Sequence, residues 1–292
     1  MTPANLPLAA EGGLSLDGHR MSIPLEDLFN DVVAKSKRGL GLTLEALAEK
    51  TGVRATEITT VKDGIKDDTT LLKLAPVLGL HGPALVTMAN AGWYPERVKL
   101  EGLAQFNTTY HDMTVNAYLV WDAQTREAAA FDTGATAAPM LEKIRELGLT
   151  LKYLFLTHTH PDHVADIPTL PAAEVLVSER EPHPAAQTFA PGAIWQLGAL
   201  SIESRSTWGH SKGGTTFVVR GLAHPVAVVG DALFASSMGG GMVSYADALA
   251  TNRKEIFTLP DDTVIAPGHG PLTTVAEEKA HNPFYPEFKS AI

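Results

Sequence analysis

The stretch that decides the fold is Thr157-His158-Thr159-His160-Pro161-Asp162-His163, directly after the apolar run Leu151 to Leu156. A loop leaving the end of a buried strand is held by a rigid element, so its side chains can be aimed. Three imidazoles and a carboxylate lie within six residues. Imidazole suits zinc, iron, copper and nickel, and carboxylate adds oxygen donation and negative charge. Crowding such groups without a cation carries a desolvation cost that nothing repays. The spacing therefore points to a metal loop.

Further candidates stand downstream, each at a turn after an apolar run or beside glycine. They are His210 in Gly209-His210-Ser211, Asp231 in Gly230-Asp231, and His269 in Pro267-Gly268-His269-Gly270. Neighbouring glycines let the backbone turn sharply near a metal. Singly, Asp231 reads as a helix cap and His269 as a turn residue; beside the first cluster those readings lose force. Six histidines lack such spacing: His19, His81, His111, His183, His224 and His281. They read as surface or packing residues, with His111 bordering the strand at Val115.

Around this loop the chain divides in two. From Pro24 to Ala91 it reads helical, with Leu25, Leu28, Phe29, Val32 and Val33 at helical spacing. Thr43 caps a helix over Leu44 to Lys50 that Gly52 ends. Arg54 to Gly64 reads as a further helix. Asp68 or Thr69 caps the next, with Leu71, Leu72, Leu74 and Ala75 inward, and His81 to Ala91 forms the last. Beyond Gly92-Trp93-Tyr94-Pro95, short β-branched and aromatic runs predict strands at 115–121, 128–131, 153–156, 175–177, 216–219 and 226–229. Helices are expected at 138–147 and 246–257. The expected domains are a loose arm (1–22), a helical module (23–95) and a catalytic domain (96–292).

The chain has 292 residues, no cysteine and a formal net charge of -10. Disulfides and zinc–thiolate sites are excluded, and no global basic field exists for nucleic acid. No basic start followed by an apolar run opens the chain, and no stretch of about 18 apolar residues occurs. The expectation is a cytoplasmic protein without a membrane span. Residues 40–80 have the pattern of a repressor-type helix-turn-helix, with Arg54, Thr56, Thr59, Thr60 and Lys62 on the would-be reading helix. Yet residues 24–95 hold nine acidic against eight basic side chains, and phosphate neutralisation supplies most DNA affinity. Nucleic acid is therefore not the favoured partner of residues 40–80. A module that dimerises or covers the active-site mouth is expected instead, and a homodimer stays open.

His-x-His-x-Asp-His followed by a distant His, Asp and His resembles the metallo-β-lactamase-fold hydrolases, over about residues 100–292. Asn116-Ala117-Tyr118-Leu119-Val120, Phe131-Asp132-Thr133-Gly134 and Gly230-Asp231-Ala232-Leu233-Phe234 support the resemblance. Glu278 followed by Asn282-Pro283-Phe284 is similar to glyoxalase II members. The resemblance implies an α+β fold, an αββα sandwich preceded here by the small all-α module. It implies two divalent ions, zinc foremost with iron or manganese as alternatives. His158, His160 and His210 would hold one, Asp162, His163 and His269 the other, and Asp231 would bridge. Asp162 and Asp132 are the expected catalytic residues, Asp132 by supporting a ligand histidine. The implied activity is attack of a metal-bridging hydroxide on a thioester, lactone or similar small activated carbonyl substrate. The alternatives are an iron-dependent sulfur dioxygenase, similar to the persulfide dioxygenases, and a helix-turn-helix regulator whose metal domain senses a metabolite. One departure stands out: the usual Gly-Arg after the Asp231 segment is replaced by Met238-Gly239-Gly240-Gly241-Met242, so the cationic anchors for glutathione are missing.

Overall fold

The computed structural model describes residues 22–170 and 174–289. Apart from Ser22, the expected arm over 1–22 lies outside the described residues.

Five helices come first: α1 (Phe29–Gly39), α2 (Leu44–Thr51), α3 (Ala55–Lys62), α4 (Asp68–Val77) and α5 (Gly82–Ala89). Local chemistry sets their ends. Thr43 Oγ1 accepts from Ala46 N, and Gly52 closes α2 at φ +68°, a left-handed conformation that costs glycine little. His81 caps α5 through Nδ1, so this histidine serves packing. Three expectations need correction. Leu25 and Leu28 lie outside α1, whose first turn is fixed by Asp31 accepting from Leu28 N. The α4 cap is Asp67, which accepts from Thr69 N and Thr70 N. Leu72 is 47% exposed, because Leu71, Leu74 and Ala75 already form the inward stripe and the next residue points about 100° away. On α3, Ile58 and Val61 are buried while Thr56, Thr59 and Thr60 face solvent, and Arg54 pairs with Glu57.

Two sheets follow. The first runs in order β1 (Leu103–Tyr110), β2 (Met113–Trp121), β3 (Glu127–Phe131), β4 (Thr150–Phe155), β5 (Glu174–Ser178) and β6 (Gln187–Phe189). The second runs β12 (Thr273–Thr274), β11 (Val264–Pro267), β10 (Val226–Gly230), β9 (Thr215–Arg220), β8 (Leu200–Ser206), β7 (Ile194–Leu197). From β3 to β6 the pairing is parallel, as it is between β10 and β11. Parallel neighbours need crossovers. They are supplied by α6 (Ala138–Leu147) between β3 and β4, and by α8 (Tyr245–Glu255) between β10 and β11. Short α7 (Pro161–Val164) and α9 (Val275–His281) complete the helices.

Strand β2 shows how the layers form. Its side chains alternate with period two. Tyr118 and Val120 enter the core between the sheets with Phe131, Phe155, Phe217 and Val228. Ala117 and Leu119 point the other way, against Met140 and Ile144 of α6. The outer face of the second sheet, through Val218, Ala227, Val229 and Ile265, shares one core with Phe29, Val32, Val33 and Leu47 of the N-terminal helices. The result is a two-sheet α+β sandwich with helices outside both sheets.

Strands β1 and β8 were not expected from sequence, because Leu-Ala-Gln-Phe-Asn-Thr-Thr-Tyr and Leu-Ser-Ile-Glu-Ser-Arg-Ser carry polar residues at half of their positions or more. Cross-strand pairing, not composition, makes them strands. His111 sits in the β1–β2 turn at φ +55°. Among the described residues no helix is long and apolar enough to cross a membrane.

Candidate metal centre

Parallel strands end at one edge, and that edge holds every metal-ligand and catalytic candidate named above. Asp132 follows β3; His158 and His160 follow β4; Asp162 and His163 lie on α7. His210 is in the β8–β9 connection, Asp231 follows β10 and His269 follows β11. Residues separated by up to 137 positions thus meet because two sets of parallel strands terminate together.

The side chains fall into two groups, His158, His160, His210 and Asp231 in one and Asp162, His163 and His269 in the other. His160 Nδ1 lies 3.0 Å from His158 Nε2 and 3.0 Å from His210 Nε2. In the second group Asp162 Oδ2 is 3.5 Å from His163 Nε2 and 3.4 Å from His269 Nε2. Asp231 stands between the groups. Its Oδ2 is 3.3 Å from His210 Nε2 and 3.5 Å from His269 Nε2, and its Oδ1 is 3.3 Å from His163 Nε2.

Four of the five imidazoles have Nδ1 committed elsewhere. His163 Nδ1 donates to Asp132 Oδ2 (2.8 Å), His269 Nδ1 to Thr114 O (2.6 Å), His210 Nδ1 to Gly240 O (2.9 Å), and His158 Nδ1 to Thr157 Oγ1 (3.0 Å). With these tautomers, Nε2 of each presents a lone pair to the site. Three lone pairs converging at 3.0 Å repel unless a cation takes them. Ligands about 2.0–2.1 Å from one tetrahedral ion lie about 3.3–3.4 Å apart, close to the separations found. His163 Nε2 and Asp231 Oδ1 are buried without a hydrogen-bond partner among the described residues. Such orphans are rare in native interiors unless an ion or water meets them. The donor set fits divalent metal.

Electrostatics agree. Burial opposes charge on His163 and His269, yet the Asp231 carboxylate outweighs it. With help from Asp132 and Asp162 respectively, it pushes them up to about 10 and about 11. Burial also opposes ionisation of Asp231, but His269 and His163 hold it well below the usual carboxylate range. Burial and the neighbouring His163 push His158 well below the usual imidazole range. The carboxylates thus draw positive charge into the cluster, charge that a bound cation would supply.

Supporting residues explain the rigidity. Asp132 is buried at φ +56°, and both its oxygens are engaged. Thr157 N donates to Oδ1, while Thr157 Oγ1 and His163 Nδ1 share Oδ2. Asp132 therefore orients ligands in both groups, directly at His163 and through Thr157 at His158. Thr157 does more than satisfy its own backbone. Sequence reading missed Glu181. Its Oε1 accepts from Thr159 N and Oγ1, its Oε2 from Gly213 N, and it ties the first ligand loop to the His210 connection. No spacing rule marks it, since it lies in an ordinary charged turn. Asn116, quoted above only within a supporting segment, braces the His269 turn: its Nδ2 donates to Pro267 O and Gly270 O on either side of that residue. Gly268 packs so closely that a Cβ there would overlap Asp231 Oδ1. His111, His183, His224 and His281 stay outside both groups; His281 stacks on Trp93 and His224 pairs with Asp262.

Known proteins resemble this chain. The hydroxyacylglutathione hydrolase GloC of Haemophilus influenzae is 30% identical over 197 residues, covering 58% of this chain and 92% of its own. The human mitochondrial persulfide dioxygenase ETHE1 is 33% identical over 180 residues, covering 57% and 69%. The crystal structure of the B3 metallo-beta-lactamase BLEG-1 superposes with TM-score 0.54 at 27% identity, covering 62% of this chain and 98% of that one. Residues 112–269 match the metallo-beta-lactamase superfamily, more than half of the chain. With two sheets ending on this cluster of histidines and aspartates, the protein belongs to the metallo-beta-lactamase superfamily.

Proposed function

We propose that the protein is a binuclear metal-dependent hydrolase of a thioester, lactone or similar activated carbonyl compound. His158, His160 and His210 would hold one ion, Asp162, His163 and His269 the second, with Asp231 shared. The observation that carries this reading is Asp231 itself, which offers Oδ2 to His210 and His269 and Oδ1 to His163. A carboxylate so placed serves two cations. Two such ions supply a water activated near neutral pH and polarisation of the substrate carbonyl. Zinc is the favoured metal, because neutral imidazoles and carboxylates in four-ligand groups suit it.

The protein's own groups then have separable tasks. Asp132 and Thr157 fix ring orientation at His163 and His158. Asp162, 13% exposed in its side chain, is the carboxylate of the cluster that reaches furthest toward solvent. That position suits a group that touches substrate and exchanges protons with it.

The similarity to hydroxyacylglutathione hydrolase supports thioester hydrolysis. The similarity to persulfide dioxygenase favours a second reading, iron-dependent oxidation of a sulfur compound. Two complete donor groups weigh toward the first. Metal analysis together with a panel of thioesters, lactones, phosphodiesters and β-lactams tests it. Less than one metal ion per chain together with inertness across the panel would refute the hydrolase reading. Oxygen uptake with glutathione persulfide would establish the second.

A further inference from the structure

Asp231 opens the segment between β10 and α8, and Gly240 O of the same segment accepts from His210 Nδ1. The orientation of the His210 ring therefore depends on where that carbonyl stands. It stands in the run Gly239-Gly240-Gly241, directly after Met238. Side chains do not fit there: a Cβ on Gly239 would overlap Asp231 O, and one on Gly241 would overlap the Tyr245 backbone. Close approach thus requires glycine, and glycine has the most conformational freedom to lose on folding. Such a run needs anchors from outside itself.

Downstream, Val243 N and Ser244 N donate to Gly209 O. Upstream, Asn282 Nδ2 donates to Ser237 O, and Glu278 accepts from Ser236 N. The last anchor before the glycines comes from the helical module. Lys35 Nζ of α1 donates to Met238 O at 2.9 Å. Asp27 pairs with Lys35 and, through the same Oδ2, accepts from Ser237 Oγ. The Lys35 and Asp27 side chains are only 17% and 8% exposed. A buried ion pair adds little net stability over apolar residues of similar volume, and its best-attested use is to fix one arrangement. Here the arrangement fixed is the backbone that leads to a ligand's acceptor. Among the described residues, hydrogen bonds reach Met238–Gly241 from Lys35, His210 and Met242. Met242 belongs to the same loop and His210 to the metal centre, so Lys35 is the donor from outside both.

We infer that Lys35, held in place by Asp27, is a positioning residue for His210: it fixes Met238 O, and with it the glycine run whose Gly240 carbonyl orients the imidazole. This rests on the reading of His210 as a metal ligand. It gives the helical module a task at the centre, support of one ligand from behind.

The test uses the zinc-loaded full-length protein with isotope-labelled histidine, and the variant Lys35→Met. Methionine keeps the apolar stem against the Phe234 ring, which Lys35 overlies and which meets His269 edge-on, so that contact is conserved. Exchange of the His210 Nδ1–H proton with water, measured against that of His163, reports local opening. Competition with a chromophoric chelator gives the zinc-binding steps. Lys35→Met should speed exchange at His210 about fivefold or more and leave His163 as it is. It should weaken one zinc-binding step roughly 3–10-fold, less than loss of a ligand's direct partner would. Lys35→Arg, which keeps the cation, should recover most of both. Leu47→Ala removes buried packing elsewhere in the module and should lower the melting temperature while changing neither quantity. If Lys35→Met leaves the Asp27 carboxylate too poorly compensated to fold, Asp27→Asn/Lys35→Met removes that charge and carries the same expectation. Wild-type exchange and zinc affinity in the Lys35→Met protein, or equal loosening of His210 and His163 in Lys35→Met and Leu47→Ala alike, overturns the inference. Wild type that binds less than one zinc ion per chain refutes the ligand reading and the inference with it. Selective loosening of His210 in a protein that hydrolyses no thioester or lactone removes the hydrolase reading and leaves Lys35 in its role.

Discussion

Replacing Asp132 by Asn separates positioning from chemistry. The backbone at φ +56° tolerates either residue, since short polar side chains are the ones that enter the left-handed region. Volume is conserved. What changes is acceptor capacity: Oδ1 and Oδ2 together receive Thr157 N, Thr157 Oγ1 and His163 Nδ1. An amide turns one acceptor into a donor, so at least one of these three buried donors loses its partner. That costs roughly 1–3 kcal/mol. Because His163 belongs to the second group and His158 is reached only through Thr157, the second ion should suffer more. Loss of a carboxylate behind a ligand histidine typically lowers metal affinity ~10–100-fold, about 1.4–2.7 kcal/mol. Competition with a chromophoric zinc chelator would resolve the two binding steps. One of the two steps should fall by that factor, while the other falls less and far-ultraviolet circular dichroism is retained. Equal affinities in wild type and Asp132→Asn would show that Asp132 is merely a turn residue.

Three further outcomes follow from the same structure. Asp162→Ala should abolish turnover and lower metal content toward one ion with the fold intact; unchanged turnover removes the two-metal assignment. Stripping the metal with a chelator should lower the melting temperature by roughly 8–16 °C if ions are present at about 1,000-fold over their dissociation constant, worth ~4 kcal/mol at ~2–4 °C per kcal/mol; a chelator-insensitive melt argues against bound metal. Glu278 supplies a pH dependence. Burial raises it from 4.5 to about 8, against hydrogen bonds from Asn282, Thr273 and Ser236. The folded state therefore keeps a proton that the unfolded chain releases. The stability this gives is full below pH 4.5 and is lost as pH rises through about 8, a loss of about 2–5 kcal/mol. Urea titrations across that range should show the decline in wild type and a flatter profile in Glu278→Gln; parallel profiles would refute it.

The ligand residues were legible because their chemistry is written locally. Four of them crowd into one loop after an apolar run, and glycines flank the others. Helix ends at Thr43 and Gly52 were legible for the same reason, since caps act within a turn. Strands β1 and β8 were not, because a half-polar segment becomes a strand only when a neighbour pairs with it. The bracing roles of Glu181 and Asn116 were silent for a related reason: the partners concerned lie 22 to 154 positions away.

By itself, then, the sequence determined which side chains can take a cation and that a helical segment precedes the sheets. Only the tertiary structure decided that Asp231 stands between two donor groups, and that Asp132 serves both. It also decided that Arg38 of α1 stands beside Gly240. Composition and spacing encode what a residue can do. Which residues share a space is set by the edge where parallel strands end and by the face on which the helices pack, and both depend on contacts between distant parts of the chain.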